Sequence, residues 1–208
     1  MTIGIVGAHR VGKTTLCERL SAETDFGFVE TDVSEVFRNW DLDPAEKMSF
    51  GVRLVIQNKI LDHCEEKWTA EKTPFFTDRT PICMLGYTTE DLKKNDVSIT
   101  DQHYRDYEAY SRRCFESTHR FFGQLMLVQP GIPIVEDKTK ETAALDLGLM
   151  WRLNFIMMGL AHAPELYTPV YVMPRDCIDL EERTEMCVEA INSAYKTHDE
   201  QTKGLRAH

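Results

Sequence analysis

The stretch that decides the fold reads Gly7-Ala8-His9-Arg10-Val11-Gly12-Lys13-Thr14. It matches the pattern G-x-x-x-x-G-K-[ST] at every fixed position. The apolar run before it, residues 2–7, predicts a buried strand, and the amphipathic run 13–24 after it predicts a helix. A glycine-rich turn between a strand and a helix directs backbone N–H groups and the positive end of the helix towards an anion. The chain is therefore predicted to bind the phosphates of a nucleoside triphosphate.

Each residue type in this motif has a chemical reason. Glycine at positions 7 and 12 lets the backbone approach a phosphate closely, and Lys13 is predicted to bridge the β- and γ-phosphates while the Thr14 hydroxyl ligates Mg²⁺. Arg10 either reaches the transferred phosphoryl group or faces solvent. We therefore expect ATP and Mg²⁺ to be bound, and the predicted nucleotide-binding residues of the turn are Gly7, His9, Arg10, Val11, Gly12, Lys13, Thr14 and Thr15.

Composition limits the classes of protein that fit. The 208 residues suit one domain, and the net charge of 24 − 34 = −10 argues against a protein that coats nucleic acid, although a local basic groove is compatible with it. No apolar run reaches the roughly 20 residues of a membrane span, and the N-terminus lacks the pattern of a secretory signal. Six scattered cysteines without a CxxC pair predict reduced thiols rather than a zinc site or a disulfide framework. We expect a cytoplasmic protein.

Short apolar runs alternate with longer amphipathic segments, which predicts one α/β domain over residues 1–208. The expected fold is the kinase-type P-loop NTPase sandwich of three layers, with a mainly parallel sheet of about five strands. Further strands are predicted at 26–30, 74–78, 124–128 and 170–173, and further helices at 44–64, 80–87, 102–120, 142–161 and 176–195. The polar stretch 88–100 is interpreted as a loop within a helical excursion at 88–120, the segment 132–142 as a lid, and 196–208 as a frayed tail.

Helix 142–161 is apolar on almost every side. Such a helix is either central to the core or in contact with a second copy of the chain, so a homodimer remains an alternative.

A carboxylate and an arginine, Asp78 and Arg79, follow the predicted strand 74–78. Ligands bind at the carboxyl ends of strands in α/β folds, and a kinase needs a base or magnesium ligand and a guanidinium there. The alternative is that Asp78 caps the next helix and Arg79 lies on the surface. The chain lacks the N-K-x-D motif of a GTPase.

Three further groups of residues are candidates. Glu30 and Asp32 follow the second strand, so either Asp32 or Asp78 is the predicted base, with the other on the metal side. Lys138 and Lys140 in the predicted lid are expected to reach the phosphates. On helix 102–120, a surface with Tyr107, Tyr110 and Arg113 is a candidate for stacking a base and holding a phosphate, although aromatic residues at helical spacing also occur in cores.

The sequences GAHRVGKTT, FFTDRTP and VEDKTK (7–15, 75–81 and 135–140) resemble those of compact P-loop nucleoside and nucleotide kinases. Within them the chain is similar, up to about Arg183, to bacteriophage deoxynucleoside monophosphate kinases and to the ribosylnicotinamide kinase domain of bacterial NAD regulators. The resemblance implies a parallel five-stranded sheet, ATP with Mg²⁺, and an acceptor between the helical excursion and the sheet. It also implies that Asp78 and Arg79 are the acidic and basic residues of the acceptor site. Such kinases typically carry an arginine where Lys140 stands, and lysine cannot make its bidentate contacts.

The sequence thus predicts an ATP-dependent kinase of a nucleoside or deoxynucleoside monophosphate. Related phage kinases phosphorylate 5-hydroxymethyluracil in DNA, so modified DNA is an alternative acceptor. A regulatory ATPase that switches a partner is a second alternative.

Overall fold

The computed structural model describes residues 2–42, 48–94, 99–133 and 146–206. Strands and helices alternate along these ranges, as the sequence predicts. In chain order they are β1 Ile3–Val6, α1 Lys13–Glu23, β2 Gly27–Phe28, α2 Val33–Asn39, α3 Phe50–Ala70, β3 Phe75–Thr77, α4 Pro81–Lys94, α5 Asp101–Phe121, β4 Gln124–Leu127, α6 Leu147–Ala161, β5 Val170–Val172 and α7 Leu180–Arg206.

One parallel sheet of five strands, in the order β2-β3-β1-β4-β5, organises the chain. In the register of the central strands, Gly4 of β1 lies beside Thr77 of β3 and Leu125 of β4. Every residue of β1, β3 and β4 is buried, which matches the short apolar runs in the sequence. Because all strands are parallel, their carboxyl ends meet at one edge of the sheet, and the loops after β1, β2, β3 and β4 lie close together there.

Two groups of helices pack on this sheet. Helix α1 contacts α7 and the strands β1, β2 and β3, whereas α3, α4 and α5 contact one another, and α6 contacts α4 and β4. The α/β class and the parallel five-stranded sheet of the predicted P-loop kinase fold are confirmed. None of the helices described is both long and apolar enough to cross a membrane.

The predicted loop at 88–100 is wrong in its first half, because α4 continues to Lys94. The acidic residues that suggested a loop are instead buried between helices. Glu90 accepts a hydrogen bond from Arg152 of α6 at 2.7 Å, and Asp91 lies 3.7 Å from Arg53 of α3. A charged residue can be buried when an oppositely charged side chain pairs with it. Here arginines of two neighbouring helices pair with Glu90 and Asp91.

Three other boundaries differ from the prediction. The short helix α2 was not predicted. Helix α3 begins at Phe50 with Ser49 as its N-cap, whereas the start predicted for it, at residue 44, lies outside the described residues. Helix α7 continues to Arg206, so the helix predicted to end at residue 195 was too short and the backbone up to 206 is helical rather than frayed.

Helix α6 buries Met150, Leu153 and Met157, but its apolar residue Phe155 is 67% exposed. One side of the helix is therefore core, and the outward side is uncovered in a single chain. The homodimer stays a prediction. All six cysteines are buried and free, as expected for reduced thiols.

Candidate active site

The turn after β1 has the backbone geometry that an anion cradle requires. Gly12 has φ 81°, in the left-handed region, and Arg10 shares that conformation with φ 61°. A Cβ on Gly7 would lie 2.6 Å from the carbonyl oxygen of Val128, at the end of β4, so only glycine fits there. Helix α1 begins at Lys13 without a side-chain cap, which leaves its first N–H groups available to a ligand.

The Lys13 side chain folds back over this turn, and its ammonium donates a hydrogen bond to the carbonyl oxygen of Ala8 at 2.6 Å. Burial lowers the pKa of Lys13 below its ordinary value; Arg79 acts in the same direction, and Asp78 opposes them. A cation that has lost part of its hydration without gaining a fully compensating anion is suited to attract one. This geometry fits the role predicted for Lys13.

Thr14 and Asp78, the two predicted metal ligands, are in contact. The Thr14 hydroxyl donates a hydrogen bond to Oδ2 of Asp78 although the residues are 64 positions apart. One follows β1 and the other follows β3, its neighbour in the sheet. A hydroxyl and a carboxylate are the kind of oxygen donors that Mg²⁺ prefers, so the residues present fit that ion.

The structure rules out Asp78 as the cap of α4. That helix begins at Pro81, and the N–H of Cys83 donates to the Thr80 hydroxyl at 3.2 Å, so Thr80 is the cap. Arg79 lies close enough to Lys13 and Cys64 to affect the pKa of both side chains. The alternative interpretation of Asp78 as a structural cap is therefore wrong, and both members of the pair remain available to ligands.

The acidic residues after β2 lie at the same sheet edge. Asp32 accepts a hydrogen bond from Arg38 at 2.6 Å, and Glu30 is exposed, whereas Thr31 between them is buried. Strands β2 and β3 are adjacent in the sheet, and the facing of Asp32 and Asp78 stays a prediction. Arg38 holds the Asp32 carboxylate in place.

The remaining predicted residues of the turn have different surroundings. Thr15 is exposed, and Val11 is buried with its carbonyl oxygen held by Arg183. His9 lies 3.4 Å from the hydroxyl of Tyr87, whose pKa burial raises to about 12. Lys138 and Lys140 of the predicted lid lie outside the described residues.

The predicted base-stacking surface on α5 is wrong. Tyr110 is buried, and Tyr107 hydrogen-bonds the hydroxyl of Thr89 at 2.6 Å. Arg113 binds two carboxylates of α3, Asp62 at 2.7 Å and Glu65 at 2.9 Å. These side chains attach α5 to its neighbours, because the aromatic and basic residues face other helices rather than solvent.

Three residues near the turn were not predicted: Thr80, Tyr87 and Arg183. Thr80 has a local signal, since a threonine directly before a proline is a common helix start. Tyr87 and Arg183 have none, because their contacts join residues 78 and 172 positions apart.

No protein-family model and no curated protein sequence matches the chain. Among solved structures, deoxyadenosine kinase from M. mycoides with bound dCTP superposes with a TM-score of 0.67 at 17% identity, over 93% of this chain and 100% of that chain. The same enzyme with bound dATP gives a TM-score of 0.63 at 18% identity, over 92% and 99%. NadR protein in complex with NR gives 0.61 at 16% identity, over 93% of this chain and 50% of that chain. The chain therefore has the P-loop kinase fold that deoxyadenosine kinase also adopts.

Proposed function

We propose that this protein is a kinase that transfers the γ-phosphoryl group of ATP to a nucleoside or a deoxynucleoside monophosphate. The observation that carries the proposal is the contact between Thr14 and Asp78 at the end of the glycine-rich turn. A turn alone would fit any nucleotide-binding protein, whereas a turn with a carboxylate and an arginine beside it fits phosphoryl transfer.

The residues of the chain have distinct tasks in this reaction. The turn and Lys13 bind the phosphates, Thr14 and Asp78 would hold Mg²⁺, and Arg79 steadies anionic oxygens. Bound there, Mg²⁺ would neutralise charge that develops on the phosphate oxygens.

On a nucleoside the acceptor hydroxyl oxygen forms a bond to the γ-phosphorus, and on a monophosphate a phosphate oxygen does so. In both cases the bond from that phosphorus to the oxygen shared with the β-phosphate breaks, and ADP leaves. The proton of a hydroxyl acceptor passes to a carboxylate, whereas an ionised phosphate oxygen carries none. The contact of Asp78 with Thr14 supports the metal role for Asp78, so Asp32 is the proposed base and Glu30 its alternative. Asp32→Asn and Glu30→Gln, assayed side by side, identify which carboxylate takes the proton.

The solved structures support a nucleoside as the acceptor class, because a deoxyadenosine kinase has the same fold over nearly its full length. Arg113 of α5 gives no support to DNA carrying 5-hydroxymethyluracil, because its guanidinium is already bound to the carboxylates of Asp62 and Glu65.

The test is a panel of nucleosides, deoxynucleoside monophosphates and hydroxymethyluracil-containing duplex DNA, incubated with γ-labelled ATP and Mg²⁺. We expect label on a nucleoside or a monophosphate. The matched control is Lys13→Ala, which should keep the fold and abolish transfer. Label on DNA alone would support the modified-base alternative, and slow ATP hydrolysis that no acceptor accelerates would support a regulatory ATPase.

A further inference from the structure

An arginine that pairs with no carboxylate in the described part of the chain is buried against the glycine-rich turn. Arg183, in the first turn of α7, is 2% exposed. Its Nη2 donates to the carbonyl oxygen of Val11 at 2.9 Å, and its Nε lies 3.3 Å from the sulfur of Met173. Its Nη1 lies 3.0 Å from the position that a Cβ on Gly12 would take. The guanidinium therefore contacts the turn from the side of α7.

The charge of this guanidinium is not compensated within the described residues, where its only partners are a carbonyl oxygen and a thioether. Burial lowers its pKa, and the groups of the described residues that oppose this shift are the thiols of Cys177 and Cys187. Two other arginines, at α7 and at α4, differ: Arg19 pairs with Glu181 at 2.6 Å, and Arg152 pairs with Glu90 at 2.7 Å. An unpaired buried cation is costly, so its presence in a protein of net charge −10 calls for a reason.

The hydrogen bond from Arg183 to Val11 gives a reason for the buried cation. The carbonyl of Val11 and the N–H of Gly12 belong to the same peptide group. In a trans peptide these two groups point in opposite directions. A guanidinium that binds the carbonyl on one side therefore directs the Gly12 N–H to the other side. It also polarises the peptide and strengthens that N–H as a donor.

We propose that Arg183 is a positioning residue that orients the Val11–Gly12 peptide towards the triphosphate, and that the bound triphosphate compensates the charge of the buried guanidinium. This inference rests on the proposed function, since it requires ATP to bind in the turn. The effect of Arg183 should therefore grow with the number of phosphates on the ligand, which a purely structural role would not produce.

Two variants keep a donor for the Val11 carbonyl and differ in charge. Arg183→Gln removes the charge, and Arg183→Lys retains it. We expect Arg183→Gln to weaken ATP binding about tenfold, because the positive charge that attracts the phosphates is lost, and AMP binding less than about twofold. Arg183→Lys should stay within about threefold of the wild type for both ligands. Arg19→Gln, which removes a surface charge near the same helix, is the matched control and should change neither affinity.

The measurements are calorimetric titrations of ATP, ADP and AMP with Mg²⁺, together with thermal unfolding of the full chain with and without ATP. At an ATP concentration about 100 times the wild-type Kd, tenfold weaker binding roughly halves the stabilisation by the ligand. Equal losses for AMP and ATP in Arg183→Gln, or unchanged ATP binding, would overturn the inference while leaving the proposed function intact. A wild-type protein that binds no ATP would overturn both.

Discussion

Replacing Asp78 by Asn should remove catalysis without removing stability, because Thr80 caps the helix that follows. Asparagine keeps the size of the side chain and an oxygen that accepts the Thr14 hydroxyl, so the local geometry is conserved. It removes the anionic oxygen that the proposed Mg²⁺ site needs. We expect kcat to fall about 100-fold or more, which corresponds to about 2.7 kcal/mol of activation free energy. The free energy of unfolding should change by less than about 1 kcal/mol.

Thr80→Val is the matched variant with the opposite expectation. It keeps the shape of the side chain, whose Cγ2 packs beside Gly4, but it removes the oxygen that caps the N–H of Cys83. Loss of such a cap costs about 1 kcal/mol, which lowers Tm by roughly 2–4 °C in a chain of this size. Its kcat should stay close to that of the wild type.

The assay combines the rate of ADP release, measured over a range of Mg²⁺ concentrations, with thermal unfolding followed by circular dichroism. Asp78→Asn should need more Mg²⁺ than the wild type for its residual activity. The reasoning would be refuted if Asp78→Asn kept the wild-type kcat, or if it lowered Tm as much as Thr80→Val while transfer continued.

Three further predictions follow from the same geometry. Gly7→Ala should weaken ATP binding and lower Tm, because its Cβ would lie 2.6 Å from the carbonyl oxygen of Val128, the residue after β4. Gly159→Ala, whose Cβ would have no atom within 4 Å, should raise the free energy of unfolding by about 0.5–1 kcal/mol. Equal effects of the two variants in calorimetry and thermal unfolding would contradict this prediction. Affinity for ATP, measured from about pH 7 to about pH 10, should fall as the pH rises through the pKa of Lys13, since the neutral amine attracts no phosphate. Burial lowers this pKa from 10.5, so the affinity should start to fall below that pH. In Lys13→Arg, whose side chain stays charged, the pH dependence should disappear. Arg113→Met should lower the free energy of unfolding by about 1 kcal/mol, because its ion pairs with α3 are lost, and should leave the KM for the acceptor unchanged. A raised KM would instead support the acceptor-binding surface first predicted on α5.

The parts of the fold that the sequence predicts well are those governed by local pattern. The strand–turn–helix at residues 3–23 was predicted within a residue or two, and the predicted start of helix 102–120 lies one residue from Asp101, where α5 begins with Thr100 as its cap. Errors arose where tertiary contacts outweigh local polarity. The polar run that contains Glu90 and Asp91 was interpreted as a loop because of its charge, whereas arginines of α3 and α6 pair with both carboxylates inside the packed helices.

The candidate site divides in the same way. The glycine-rich turn has a fixed spacing that the chemistry of phosphates imposes, so its residues are recognisable one by one. The pair Asp78-Arg79 is recognisable because a carboxylate directly after a buried strand is rare without a ligand or a cap. Arg183 has no such signal, since its partner carbonyl is a backbone atom 172 residues away and any residue type supplies a carbonyl.

The sheet order explains which carboxylates can share a reaction with the turn. Strand β1 carries the turn, β3 beside it carries Asp78, and β2 beyond β3 carries Glu30 and Asp32. Neighbouring strands lie about 4.8 Å apart, so the end of β2 lies about 10 Å from the end of β1. That separation would accommodate a terminal phosphoryl group and an acceptor oxygen in line between them. In the proposed reaction a base after β2 would therefore lie across the acceptor from the nucleotide, whereas Asp78 would lie beside the phosphates. For this reason we propose the metal role for Asp78 and the proton transfer for an acid after β2.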